Sequence, residues 1–243
     1  MNRNILPRLG LLLVVLTVAL GAPAGPAVGH DPAFTSDFRL GRCQGFSSTG
    51  RNPYFVLEPG FRIVLEGEEE GVVKRVVITV LDETKVVDGV ETRVVRERET
   101  EDGELVEISR NYFAICNRDN SVLYFGEDVD IYEDGVVVSH DGSWLAGVNG
   151  ARPGIIMPGT VLVGARYFQE VAPGVAEDRA EISSVTAVVQ TPAGTFEHCV
   201  RTRETTPLEP GVSLKWYAPR IGLVRDGELR LVEFTDPGAP KSD

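Results

Sequence analysis

Glu127, Asp128, His140, Asp141, Glu170, Glu177 and Asp178 are side chains of the types that move protons in hydrolysis and elimination. Such reactions need one group that gives a proton while another takes one. Paired carboxylates, or a carboxylate with an imidazole, do this in glycoside hydrolysis and in proton abstraction. The suggestive arrangement is His140-Asp141 close to Trp144, with Tyr124, Tyr167 and Glu170 flanking a Gly/Pro-rich stretch. His140, Glu127, Glu170 and Asp178 are therefore the catalytic candidates. The competing reading makes Asp141-Gly142 a turn and His140 the end of a strand. No G-x-S-x-G elbow and no phosphate-cradling glycine loop occurs, so the chain carries no strong catalytic motif.

Residues 127–134 hold five carboxylates in eight positions. Oxygen-rich loops attract calcium in secreted proteins, which makes Asp128, Asp130 and Asp134 candidate ligands. The EF-hand pattern does not fit, because Tyr132 and Glu133 stand where a ligand and a glycine are needed. The competing reading is a solvated edge strand that ends in a turn. The histidines are His30, His140 and His198, too few for a zinc site of three or four ligands. Calcium is the single cofactor with any support, and none is the simpler expectation.

These groups sit in a chain of 243 residues with 36 acidic and 24 Lys and Arg residues, a formal charge of −12. That balance repels nucleic acid and anionic lipid headgroups. Hydrophobic residues make up 42%, enough for a real core. Arg3 and Arg8, an apolar run from Leu9 to Leu20, and Ala22-Pro23-Ala24 have the layout of a signal peptide. Residues 1–24 are read as that peptide, 25–60 as an N-terminal extension, 61–234 as one β domain and 235–243 as a tail. The expected location is secreted or periplasmic, with no transmembrane segment after cleavage. Cys43, Cys116 and Cys199 are odd in number, so at least one is free or pairs with another molecule. A Cys43–Cys116 bridge is the reading adopted; three buried thiols are the alternative.

The elements that must position these groups are strands. Five Asp-Gly pairs, at 88, 102, 134, 141 and 226, separate runs rich in Val, Ile, Thr and aromatics, and Asp-Gly tolerates the positive φ angles of a two-residue hairpin turn. Strands are expected at 62–68, 72–84, 89–99, 104–116, 121–125, 129–132 and 136–140, and again at 166–170, 178–190, 194–204, 213–217 and 228–234. Val76, Ile78 and Val80 face one way and Val77, Thr79 and Leu81 the other, which predicts a strand buried on both faces, whereas the charges from Arg93 to Glu101 predict a face in water. Residues 147–164, dense in Gly and Pro, read as one long loop across an opening. No helical stripe of ten residues appears. The expected fold is all-β: a curved antiparallel sheet forming a half-open or closed β-barrel, with one long Gly/Pro-rich loop.

The runs Tyr124-Phe125-Gly126-Glu127-Asp128, Gly142-Ser143-Trp144-Leu145-Ala146-Gly147-Val148, Pro153-Gly154-Ile155-Ile156-Met157-Pro158-Gly159 and Thr191-Pro192-Ala193-Gly194-Thr195-Phe196 resemble a family of exported bacterial proteins of unknown function. The resemblance extends through Trp216-Tyr217-Ala218-Pro219 and Gly222-Leu223-Val224. The later part is also similar to periplasmic domains with curved sheets of the lipoprotein-carrier type. This implies fold and compartment and no catalytic residues. Arg220 departs from the pattern where glycine is expected.

A large curved sheet has a concave face that side chains or a ligand must fill. The favoured expectation is a binding protein for a hydrophobic or amphipathic small molecule, lipid-like or otherwise, without chemistry. Tyr124, Trp144, Ile155, Ile156, Met157 and Tyr167 would form its site. The alternatives are an extracellular hydrolase or lyase using carboxylates and His140, and a cell-envelope interaction module.

Overall fold

The computed structural model describes residues 33–238; residues 1–32, among them the stretch read as a signal peptide, and residues 239–243 lie outside the described residues. A 3-10 turn at Leu40–Arg42 precedes three short strands, β1 (Phe46–Ser47), β2 (Arg51–Asn52) and β3 (Phe55–Val56). Long strands follow: β4 (Arg62–Glu69), β5 (Val72–Val87), β6 (Val90–Glu101), β7 (Glu104–Cys116) and β8 (Val122–Glu133). Next come β9 (Val136–Ser139), β10 (Trp144–Leu145), β11 (Arg152–Met157), β12 (Arg166–Phe168) and β13 (Glu170–Val171). The chain ends in β14 (Arg179–Thr191), β15 (Gly194–Thr205), β16 (Ser213–Ala218), β17 (Gly222–Asp226) and β18 (Leu229–Thr235). No α-helix occurs among the described residues, and none of their elements is a helix long and apolar enough to cross a membrane.

Turn chemistry explains the meander. Asp88 and Gly89 take φ of 48° and 76°, Asp102 and Gly103 49° and 87°, Asp134 and Gly135 51° and 75°. Two consecutive positive φ angles match the twist of the flanking strands and join β5 to β6, β6 to β7 and β8 to β9. Asp141-Gly142 is no hairpin turn; it leads from β9 to β10.

Sixteen strands form one antiparallel sheet, in the order β12, β14 to β18, β4 to β8, β11, β13, with β1 on β7 and with β9 and β10 on β8. The two ends of this path are β12 and β13, which Gln169 alone separates in sequence. The sheet is rolled into a barrel with one unsealed seam, spanned by a single continuous piece of chain. Pro153 of β11 pairs with Glu170, Tyr167 of β12 with Ala180, and Thr35 with the outer side of Tyr167.

Residues 147–164 are wall rather than lid. Strand β11 runs through them because Gly154 permits close approach, a Cβ there lying 2.3 Å from the Gln169 carbonyl, and just beyond the strand a Cβ on Gly159 would lie 1.7 Å from the Asp119 oxygen. Density of glycine predicted irregularity, whereas here it allows backbone to pass backbone. Likewise β8 is one strand, not two, bent at Gly126 with φ 141°, where the Trp144 carbonyl would meet any Cβ at 2.4 Å.

Strand β5 turns Val76 and Val80 inward while Val77, Thr79 and Leu81 stay half-buried, so one face rather than both is core. On β6 Arg96 reaches water, but Arg93 and Glu97 are 7% and 6% exposed and buried. The segment before β4 is integral to the body: Leu57 is fully buried, and Cys43 bonds to Cys116 of β7, tying a stretch of 73 residues. Cys199 is a buried thiol. His198, at φ 55°, bulges β15 so that Cys199 and Val200 both turn inward. Arg220 adopts φ 68° and its amide donates to the Pro53 carbonyl at 2.7 Å, so the turn keeps a left-handed residue without glycine.

Candidate functional site

Inward positions on the strands alternate with outward ones, and along most of the wall they are apolar. The barrel nevertheless holds a partly open cavity of about 130 Å³. Part of its lining is Phe55, Phe61, Ile63, Val80, Phe113 and Leu223; the rest carries Glu97, Glu127, Glu170, Asp178, Glu204 and Lys215. Gly142, Val175 and Leu208, from loops, also line it, as does a sixth carboxyl, Glu209.

Three of the four catalytic candidates, Glu127 of β8, Glu170 of β13 and Asp178 just before β14, line this cavity together. The structure does not bring His140 to them. Its side chain is 70% exposed, with Nδ1 2.9 Å from the Val129 carbonyl and 2.9 Å from Asp130. Tyr124 and Ile156 of the expected ligand set also face the cavity. Trp144 packs edge-on against Tyr124, centroids 5.3 Å apart, and borders a separate hollow with Leu145 and Val148. Met157 is wholly buried, Tyr167 is buried, and Ile155 is half-buried; none of the three lines the cavity. Asp128, Asp130 and Asp134 do not converge: Asp128 accepts from Lys85 at 2.9 Å and from Tyr112, Asp130 meets His140, and Asp134 occupies a turn. Among the described residues no three His, Cys, Asp or Glu side chains are grouped to hold a metal ion.

Glu204 is the best-held acid. Its Oε1 accepts from Gln169 Nε2 at 3.2 Å and from Thr202 Oγ1 at 2.9 Å, while Lys215 Nζ lies 3.2 Å from Oε2. Gln169 thus ties the seam to the interior. Lys215 also meets Asp226 at 3.7 Å. Burial alone would strip its proton, but the charges of Asp226 and Glu204 override that and hold the ammonium well above its usual range. Glu170 Oε1 accepts the Asp178 amide at 3.2 Å, and Tyr124 donates its hydroxyl to Asn111 at 2.5 Å.

The other acids are shifted the opposite way to a salt-bridged carboxylate. Burial, then the charge of Glu107, pushes Glu127 up to about 8. Burial, then Asp178 and Glu127, raises Glu170 well above the carboxylate range; burial, then Glu99, does the same to Glu97. Glu107 is pushed up to about 7 by burial and Glu99, and Asp178 to about 6 by burial and Glu204. Near neutral pH several of these groups are carboxylic acids able to donate a hydrogen bond.

A carboxyl whose value is raised on folding keeps a proton that the unfolded chain has released. Its stabilising contribution is whole below the unfolded value, roughly pH 4, and is lost as pH rises through the folded value. Thermal melts should therefore show Tm falling steadily as pH rises through the values of Asp178, Glu107 and Glu127, about 6, 7 and 8. Glu127→Gln should flatten the upper part of that slope; a Tm that climbs with pH over this window would contradict the assignment.

The sequence reading missed Glu97, Glu204, Lys215, Gln169, Phe55 and Phe113. A signal was present for some of them: Lys215 alternates with Ser213 and Tyr217, and Glu204 with Thr202, on strands whose same-parity positions are buried. Comparison with known proteins finds no matching family model, no matching curated protein and no matching solved structure.

Proposed function

We propose that this protein binds a small amphipathic molecule inside its barrel. The reading rests on one observation: the cavity joins an aromatic and aliphatic wall to a set of carboxyl groups that have no counter-ion. Burial of apolar surface, about 25 cal/mol per Å², holds the body of such a ligand, and the carboxyls orient its polar end. The volume favours a ring-sized body over a long acyl chain, since a cavity of roughly 150 Å³ takes one benzene molecule. The layout of residues 1–24 supports action outside the cytoplasm, and the acidic composition agrees with a partner that is not nucleic acid.

The test is to fill the site. Val80 and Val95 line the cavity on neighbouring strands and are 3% exposed each. Native mass spectrometry of the purified protein should show an added small mass, or uptake from a panel of small amphipathic molecules. A Val80→Phe variant that still melts cooperatively should take up none. Uptake unchanged in that variant would place binding elsewhere and overturn the reading.

A second reading is favoured by the meeting of Glu127, Glu170 and Asp178 in one cavity: acid–base chemistry on a bound ligand by carboxyls alone, with no part for His140. Turnover of glycoside, ester or elimination substrates that disappears in Glu170→Gln would support it.

A further inference from the structure

Six carboxyl side chains and one lysine line the cavity. The lysine is already neutralised by Glu204 and Asp226. Among the described residues no basic nitrogen comes within ion-pair distance of Glu97, Glu127, Glu170 or Asp178. A carboxylate in such a place is costly unless a cation or a proton joins it. Independently of the cluster, Glu127 is 6% exposed, lines the cavity, and its Oε2 has no hydrogen-bond partner. It is a buried carboxyl oxygen left without a partner, and the indole nitrogen of Trp144, which faces Glu127, is unpartnered as well.

The aromatic wall lies on the same side of the chain register. Phe113 pairs with Tyr124 across β7 and β8, and Asn111 with Glu127 one step further along. Phe113 and Tyr124 stack with centroids 4.7 Å apart, and Phe55 meets Phe113 edge-on at 5.1 Å. All three rings line the cavity. Ring faces beside carboxyls that can ionise attract an ammonium and repel an anion, while a neutral hydroxyl gains no charge-assisted bond from them. A bare divalent cation lacks the converging ligands it needs.

We infer that the ligand is a small primary amine, one ring or a short branched chain carrying a single ammonium, received by Glu127 and Glu170 against the Phe113 and Tyr124 rings. The inference rests on the barrel being a binding site, as proposed above. It adds the charge of the ligand and its size, which the cavity of about 130 Å³ limits to about one ring, with any short arm reaching into its open side. Entry of the cation ionises acids that the empty barrel keeps protonated. The groups facing Glu127 in this exchange are Glu107, Tyr124, Asp178, Trp144 and Glu170, so binding releases protons and strengthens as pH rises.

The probes are phenethylamine, phenethyl alcohol and hydrocinnamate, matched in size and differing in charge. Each is titrated calorimetrically into the purified full chain in two buffers of different ionisation enthalpy. The amine should bind at least about tenfold more tightly than the alcohol, with proton release, and hydrocinnamate should bind weakest. Glu127→Gln and Glu170→Gln should each shrink the amine-to-alcohol ratio by about tenfold; both replace a carboxyl by a side chain of equal size. Alcohol or hydrocinnamate binding as well as the amine overturns the amine assignment and leaves the cavity reading intact. Failure of all three probes, in a folded protein, overturns both.

Discussion

Gly154→Ala should destabilise the protein by at least about 3 kcal/mol, a fall in Tm of roughly 10 °C for a chain of this size. The added methyl would sit 2.3 Å from both the carbon and the oxygen of the Gln169 carbonyl and 2.6 Å from the Phe168 oxygen. These are backbone atoms on the segment that spans the seam, so no flexible side chain can swing aside. Relief requires β11 to part from β13, which removes the pairing of Pro153 with Glu170. Hydrogen exchange at residues 166–171 should rise well before the rest of the barrel opens, and ligand uptake should fall because Glu170 moves with the seam. Gly41→Ala is the control, since nothing lies within 4 Å of its Cβ position. Equal melts for the two variants would mean that the seam is not held by this contact.

Lys215→Met should be as damaging or more so, about 3–5 kcal/mol near neutral pH. Lys215 is 7% exposed and is the ion-pair partner of Glu204, itself 1% exposed. Methionine fills a similar volume but leaves Glu204 and Asp226 facing each other without a cation. Asp226 is already raised, first by burial, against the pull of Lys215. Without the lysine Asp226 rises further, so the lost stability returns as pH falls and it takes up a proton. Urea unfolding at about pH 5 and pH 8 separates the cases: a large deficit at the higher pH that narrows at the lower one supports the charge argument. A deficit equal at both values would mean lost packing alone. Adding Glu204→Gln should recover part of the stability.

The architecture was legible wherever local rules act alone. Asp-Gly at 88, 102 and 134 reads as a hairpin because both residues accept positive φ, and Val, Ile and Thr around them read as strands. Strand β11 was illegible because Pro153 and Gly154 are strand breakers by propensity. What places them in the wall is the approach of Gln169, sixteen and fifteen residues later in the chain, a tertiary contact with no local trace. For the site, Glu127, Glu170 and Asp178 could be named by residue type, but only the rolled sheet brings β8, β13 and the start of β14 to one interior. His140 had the right chemistry and the wrong place: β9 hangs outside β8 instead of continuing the wall. Glu97 and Lys215 were hidden because charge in a strand ordinarily means solvent, and nothing local distinguishes an acid that points into a cavity from one that points into water.

The sheet order also dictates when the structure can exist. Strand β4, at residues 62–69, has β18, at 229–235, as one of its two neighbours, so the pairing in the middle of the sheet waits until residues 229–235 have been made. Until they arrive, β4 and β17 are both open edges and the hairpins on either side cannot surround an interior. Pairings this distant slow folding to the range of milliseconds to seconds. A chain emerging from a ribosome therefore remains unrolled, with its long apolar strands open to chaperones or to one another. Truncation before residue 229 should leave no partial barrel, only a sheet that sticks to its own copies.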